Sequence, residues 1–301
     1  MPRTLLVVGS VALDSVETPF GREDDILGGS ATFCSYAASF YAPVRLVGVV
    51  GEDFPAEYAR VLEGRRIDLS GLETRAGGTF RWEGSYEGQM NVAKTLHVEL
   101  NVLKDFAPKL SPEFCKTQVV FLANGSPGTQ LSVLGQIEKP ELAVADTMNF
   151  WIETAREELV ELLSRLDGLV LNDEEARMLT GCDNLLEAGE KVLGMGPWFT
   201  LIKKGEHGAL LITKDETVAL PAFPCPKVVD PTGAGDSFAG GMMGYLATRD
   251  NCDVASLKTA MACGTITASF AVEDFSLRRF EEIETADIES RLNLYRKMLQ
   301  F

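Results

Sequence analysis

The chain has 301 residues, 46% of them apolar, and a formal net charge of −16. That length holds one large α/β domain or two small ones with ample core; no apolar run reaches the ~18 residues needed to cross a bilayer, and the acidic balance argues against nucleic acid as a partner. Six dispersed cysteines (Cys34, Cys115, Cys182, Cys225, Cys252, Cys263) without a C-x-x-C pair, and only two histidines, argue against zinc and a disulfide framework.

The first element is the apolar run in "RTLLVVGSVALDSV", which reads as a buried strand with Asp14 just past its end. Gly9 and Ser10 interrupt the stretch Leu5 to Leu13 and no small-residue cleavage pattern follows, so no signal peptide is expected and the expected location is cytoplasmic. In "LGGSATFCSYAASFYA", Gly28, Gly29 and Ser30 precede a helical pattern. "VRLVGVVGEDF" reads as a second buried strand ending in Gly51 and Asp53, and "PAEYARVLEGRRI" as a helix. This alternation predicts a doubly wound, mostly parallel sheet flanked by helices.

Residues about 72 to 100 break the rhythm. Phe80, Trp82 and Tyr86 alternate with polar residues around expected turns at Gly77-Gly78 and Gly84. The expectation is a small antiparallel β insertion, with part of about 14–28, lying over a ligand site as a lid on a single domain spanning 1–301. The α/β rhythm resumes with strands in "QVVFLANGS" and "ELAVADTMN". "TAREELVELLSRLDG" reads as a helix with Thr154 and Glu157 as a capping box and Gly168 as its stop. "GLVLNDEEARMLTG" is strand into helix, "WFTLIKKGEHGALLIT" two strands around a glycine turn, and two helices close the chain. Ligands of open α/β sheets bind at the carboxyl ends of strands, where Asp14, Asn124, Asp146, Asn172 and Asp230 are expected.

"DPTGAGDSFAGG", residues 230–241, carries the strongest chemical signal. Pro231 ends any strand at Asp230. Gly233 and Gly235 allow the backbone to approach a ligand, and the amides from Gly233 through Ala234 to Asp236 would face outward at a helix N-terminus, an anion site. Such a site can hold a transferring phosphoryl group while Asp236 takes a proton from an attacking hydroxyl. The plain alternative is a glycine-rich turn with an aspartate cap, and Asn172 with Asp173, Glu174 and Glu175 is likewise an ordinary acidic helix start. Lys203-Lys204 reads equally as a solvated pair at a strand end.

Taken together, the motifs resemble the ribokinase/PfkB family of carbohydrate and nucleoside kinases. "DPTGAGDSFAGG" resembles its signature, "GGSATFCSYAASFYAPVRLVGVVGEDF" its N-terminal signature, "NDEEARMLTG" its Asn-x-x-Glu motif and "IKKGEHGALL" its Gly-x-x-Gly nucleotide strand, in the family's order along nearly the whole chain. The resemblance implies an ATP-dependent phosphotransferase acting on the primary hydroxymethyl group of a small sugar or ribonucleoside. It implies Asp236 as base and Gly233, Ala234 and Gly235 as anion hole. It implies Asn172 and Glu175 as organisers of Mg2+, the latter through water. Asp14, Gly28, Gly29 and Phe33 fall at acceptor positions, and Thr232, Lys204, Gly205 and Gly264 at nucleotide positions. Asp230 falls near a monovalent cation (K+) region, and the lid at a surface for a homodimer. Two positions depart: Phe33 stands where the sugar-kinase signature has asparagine, and Lys203 stands where the nucleotide strand has threonine. "DPTGAGD" and "ITASFAVED" resemble nucleoside-phosphorylating members more than ribokinase itself. Two other classes stay open: a binding protein of the same fold without catalysis, and a Rossmann dehydrogenase. Retention of both Asp230 and Asp236 opposes the first, and the lack of G-x-G-x-x-G in "VVGSVALD" the second.

Overall fold

A computed structural model describes residues 2–88 and 90–300. The chain runs β1 (Leu5–Val8), β2 (Ala12–Thr18), β3 (Gly21–Gly28), α1 (Ser30–Ala38), β4 (Val44–Gly51), α2 (Ala56–Glu63), β5 (Ile67–Arg75), β6 (Phe80–Ser85) and β7 (Lys94–Glu99). It continues β8 (Val119–Leu122), α3 (Pro127–Leu134), β9 (Leu142–Asp146), α4 (Asn149–Thr154), α5 (Arg156–Leu163), β10 (Gly168–Asn172), α6 (Asp173–Thr180) and α7 (Leu185–Leu193). It ends β11 (Phe199–Lys203), β12 (Ala209–Thr213), β13 (Thr217–Leu220), α8 (Ala234–Ala247), α9 (Val254–Ala271), α10 (Arg278–Glu281) and α11 (Thr285–Met298).

Nine strands form one sheet in the order β13-β12-β11-β10-β9-β8-β1-β4-β5. All neighbours pair parallel from β11 to β5; β12 and β13 join antiparallel. Strands such as "LLVV" and "VVFL" are apolar throughout because both faces are covered. Alternate side chains feed two cores. Leu142, Val144, Phe199 and Leu201 pack with residues of α1, α8 and α9 on one face; Ala143, Ala145 and Ile202 pack with residues of α3, α5, α6 and α7 on the other. The glycines of α8 face outward from its axis onto neighbours: a Cβ on Gly240 would lie 2.3 Å from the Cys34 carbonyl of α1, and one on Gly241 2.3 Å from Thr267 Oγ1 of α9. These glycines draw α8 close against two helices.

A second sheet, β3-β2-β6-β7, stands where the lid is expected, with different bounds. β5 belongs to the main sheet, so residues 72–75 lie outside the second one; β2 with β3 and β6 with β7 pair antiparallel there, while β2 and β6 run parallel. Gly84 lies within β6, not in a turn: a Cβ there would meet the Trp82 ring at 2.2 Å, so the strand leaves that space to the indole.

Four further expectations are corrected. Asp14 lies inside β2 rather than beyond a first strand, because Gly9 and Ser10 divide the apolar run into two strands of different sheets. Thr154 does not cap: it ends the short α4, its hydroxyl donates to the Phe150 carbonyl over 2.6 Å, and α5 begins after Ala155 without a side-chain cap. Gly168 opens β10 instead of stopping a helix, and a Cβ there would collide with the Phe199 ring at 2.1 Å. No strand ends at Asp230; the backbone N–H of Val229 donates to the Val272 carbonyl at the end of α9 over 2.7 Å, which ties down an irregular segment. Among the described residues no helix is long and apolar enough to cross a membrane.

Candidate active site

The loop before α8 turns through Gly233 at φ 71°, a left-handed conformation that suits glycine. A Cβ on Gly233 would stand 2.3 Å from the Phe33 ring. Phe33 is 2% exposed, so it does not offer the acceptor contact its position suggests. It is the floor on which the loop rests. The Ala234 amide, expected in the anion hole, donates to the Pro231 carbonyl over 3.1 Å and closes the turn. The Gly233 and Gly235 amides have no protein acceptor among the described residues, and they remain the donors available to an anion at the start of α8.

Asp236 lies in the first turn of α8, part-buried. Burial pushes its carboxyl up to about 7; Asp146 adds to the rise, while Lys203 and its own backbone N–H oppose it. Asp14 faces this region from β2. A Cβ on Gly28 would stand 1.9 Å from Asp14 Oδ2, so only a glycine lets the carboxylate lie there. The Gly29 N–H supports Asp14, whose pKa is nonetheless pushed up to about 8, by burial first and then by the charges of Asp230 and Asp236. Gly29 itself takes φ 97° at the start of α1. Asp14, Gly28, Gly29 and Asp236 are therefore brought together.

Asn172 and Glu175 form a full capping box at the start of α6. Asn172 Oδ1 accepts from the Glu175 N–H over 2.8 Å, and Glu175 Oε2 accepts from the Asn172 N–H over 2.7 Å. The plain reading of this motif is thus realised, and it fixes the Glu175 carboxylate toward the site. Burial raises Glu175 to about 8; Asp146 and Asp236 add to the rise, and Lys203 and the Asn172 N–H oppose it.

Two residues join that had no role assigned: Lys203, and Asp146, which was expected only at the carboxyl end of a strand. Lys203 closes β11 in register with Asn172, and its ammonium donates to Asp146 Oδ2 over 2.9 Å, the two side chains being 16% and 5% exposed. Strand parity accounts for this: Lys203 follows Phe199 and Leu201, and Asp146 follows Leu142 and Val144, on the face toward α8. Lys204 and Gly205, assigned to the nucleotide strand, lie past its end. Gly205 is exposed, at φ 53°, and the Lys204 N–H donates to the Gly208 carbonyl over 2.7 Å. Gly264 does not reach the site surface. It is buried, and a Cβ on it would stand 2.6 Å from the Phe238 carbonyl, so it serves the contact of α9 with α8.

The connection between β6 and β7 reaches the site at two points. The Thr232 hydroxyl donates to Tyr86 Oη over 3.3 Å, and Asn91 Nδ2 donates to Glu206 over 3.2 Å in the turn after β11. Asp230, 1% exposed, accepts from the Thr232 N–H over 2.8 Å through Oδ1. Among the described residues its Oδ2 has no hydrogen-bond partner, and burial raises its pKa.

The pfkB family carbohydrate kinase model matches residues 13–283. The chain belongs to the pfkB carbohydrate kinase family. A cytidine kinase of Thermococcus kodakarensis is 32% identical over 248 residues, covering 80% of this chain and 88% of that protein. Among solved structures, the nucleoside kinase of Methanocaldococcus jannaschii has a TM-score of 0.78 at 22% identity, covering 97% of this chain and 98% of its own. An Arabidopsis thaliana ribokinase complexed with ribose and ATP has a TM-score of 0.77 at 17% identity, covering 97% and 99%. The ribokinase fold and a carbohydrate- or nucleoside-kinase activity follow for this PfkB kinase.

Proposed function

We propose that this kinase transfers the γ-phosphoryl group of ATP to the primary hydroxymethyl group of a ribonucleoside. The observation that carries the reading is the start of α8, where the open Gly233 and Gly235 amides stand beside the Asp236 carboxylate, with Asp14 facing them from the lid sheet. The cytidine kinase relative, at 32% identity, favours a nucleoside over a free sugar. The absence of an asparagine at Phe33 agrees, since a polar contact used by sugar kinases is missing.

Asp14 binds acceptor hydroxyls, beside Gly28 and Gly29. Asp236 accepts the proton of the attacking hydroxyl as its oxygen bonds to the γ-phosphorus, and the Gly233 and Gly235 amides receive the phosphoryl oxygens. Tyr86 holds the lid over the loop through Thr232, which excludes water from the transfer. Among the described residues no three His, Cys, Asp or Glu side chains converge to hold a metal directly. Glu175 and Asp146 nevertheless bring carboxylates to the phosphate loop, which suits magnesium held through waters and phosphates. Bound with ATP, magnesium would supply charge neutralisation, and Glu175 would hold it through water. The orphaned, buried Asp230 Oδ2 suits a monovalent cation. The open edge of β7, where Leu96 and Val98 are exposed, is our choice for a homodimer contact, which sedimentation at increasing concentration would detect.

An ATP-consumption assay over cytidine, uridine, adenosine, inosine, ribose and fructose, with product analysis, tests the reading. A nucleoside 5′-monophosphate is the expected product. Preference for a free sugar would refute the acceptor class, and ATP consumption with none of the six would refute the transfer.

A further inference from the structure

Lys203 stands where the family's nucleotide strand has threonine, and nothing above gives it a task. A Cβ on Gly235 would lie 3.0 Å from its Nζ, so the ammonium stands against the backbone of the first turn of α8. An ammonium has three N–H donors; Asp146 is its one hydrogen-bond partner among the described residues. Burial pulls the amine's pKa down, yet Asp146, Glu175 and Asp236 outweigh it and keep the group charged.

As a purely structural feature this pair is unfavourable. A helix N-terminus repels a cation, and a buried ion pair is replaceable by neutral side chains without loss of stability. An anion at the same spot reverses the first effect, because the helix end and the ammonium then attract it together. The two unused donors stand beside the Gly235 amide, which is itself open.

We propose that Lys203 is a catalytic residue of the phosphoryl transfer, its ammonium donating to a non-bridging oxygen of the γ-phosphoryl group, with Asp146 as its positioning residue. This rests on the reading that the Gly233 and Gly235 amides receive that group. In the step, the acceptor oxygen forms its bond to the γ-phosphorus while the bond from that phosphorus to the β–γ bridging oxygen breaks. The electron pair leaves with ADP, the hydroxyl proton passes to Asp236, and Lys203 stays protonated throughout. Charge spreading over the equatorial oxygens strengthens its interaction on the way to the transition state.

The test compares wild type, Lys203→Met, Asp146→Asn and the double variant, with ATP and cytidine or the best acceptor of the panel. Lys203→Met is expected to lower kcat by about 10²–10³-fold, the loss typical of removing one donor to a developing charge. Acceptor KM and ADP affinity by calorimetry should stay within about threefold, as for an interaction made only in the transition state. ADP with aluminium fluoride, which mimics the transferring group, should bind wild type more tightly than ADP alone and Lys203→Met no more tightly. Asp146→Asn should lose part of that preference. Should Lys203→Met alone fail to fold because Asp146 is left unpaired, the neutral double variant decides, and it should fold and keep the kcat loss. A double variant with wild-type kcat would show a merely structural pair and overturn the proposal, as would Lys203→Met within about threefold of wild type. Wild type that transfers phosphate to no nucleoside or sugar would overturn the kinase reading together with this role.

Discussion

Replacing Asp236 by asparagine keeps the shape of the side chain and removes its charge, so it separates chemistry from folding. Loss of a general base costs about 10²–10⁴-fold in turnover. The same change should stabilise the protein. Asp236 is raised from 3.8 to about 7 in the folded chain, burial being the main cause. A carboxyl whose folded pKa lies above its unfolded one costs nothing below the unfolded value. The cost grows as pH rises between the two, and it is complete above about 7. At about 1.4 kcal/mol per unit the shift amounts to roughly 4 kcal/mol, and the part-exposed position reduces this to about 1–2 kcal/mol. Asp236→Asn should therefore melt a few degrees above wild type at pH 8, by about 2–4 °C per kcal/mol for a chain of this size. The gain should shrink at pH 5. Wild-type kcat/KM should fall as pH drops through about 7, because the base becomes protonated. The assays are ATP-coupled turnover between pH 5.5 and 9 and thermal melts at pH 5 and 8. Near-normal turnover in the variant, or a variant that melts lower at pH 8, would refute the reasoning.

Other perturbations bear on the remaining parts of the site. Gly233→Ala should fail to accumulate as folded protein, since its Cβ would meet the buried Phe33 ring at 2.3 Å at a left-handed φ of 71°. Gly235→Ala should fold, because the atom it meets at 3.0 Å is the movable end of Lys203, yet kcat should drop at least about tenfold as the ammonium is displaced. Asp14→Asn should abolish measurable acceptor binding by calorimetry while melting higher than wild type at pH 8, because its carboxyl, raised to about 8, is a burden on the fold at that pH. Replacing potassium by N-methylglucamine at constant ionic strength should lower turnover of wild type and leave Asp230→Asn unchanged, as expected if Asp230 Oδ2 holds the cation.

What the sequence made legible was whatever is written locally. The alternation of apolar runs and amphipathic stretches foretold the sheet, and the Gly-Ala-Gly with its aspartate foretold the start of α8, because turn chemistry and helix capping are encoded within a few residues. What it hid depends on partners distant in sequence. Phe33 became a floor only because α1 and α8 are packed together, and the lid's limits were set by which strand β5 and β6 chose to pair. Lys203 lies between these cases. Side chains alternate along a strand, so of the adjacent pair Lys203 and Lys204 only one follows Phe199 and Leu201 toward α8. The facing carboxylate, Asp146, obeys the same parity behind Leu142 and Val144. Counting parity from the strand's apolar residues would have favoured Lys203 over the conspicuous lysine beside the glycine. Strand parity predicts a sharp asymmetry between neighbours. Lys204→Met, past the end of β11 and with no side-chain partner among the described residues, should leave kcat within about threefold. Lys203→Met, one residue earlier, should not; equal losses from the two variants in the same turnover assay would mean that overall charge near the loop, rather than one directed ammonium, sets the rate.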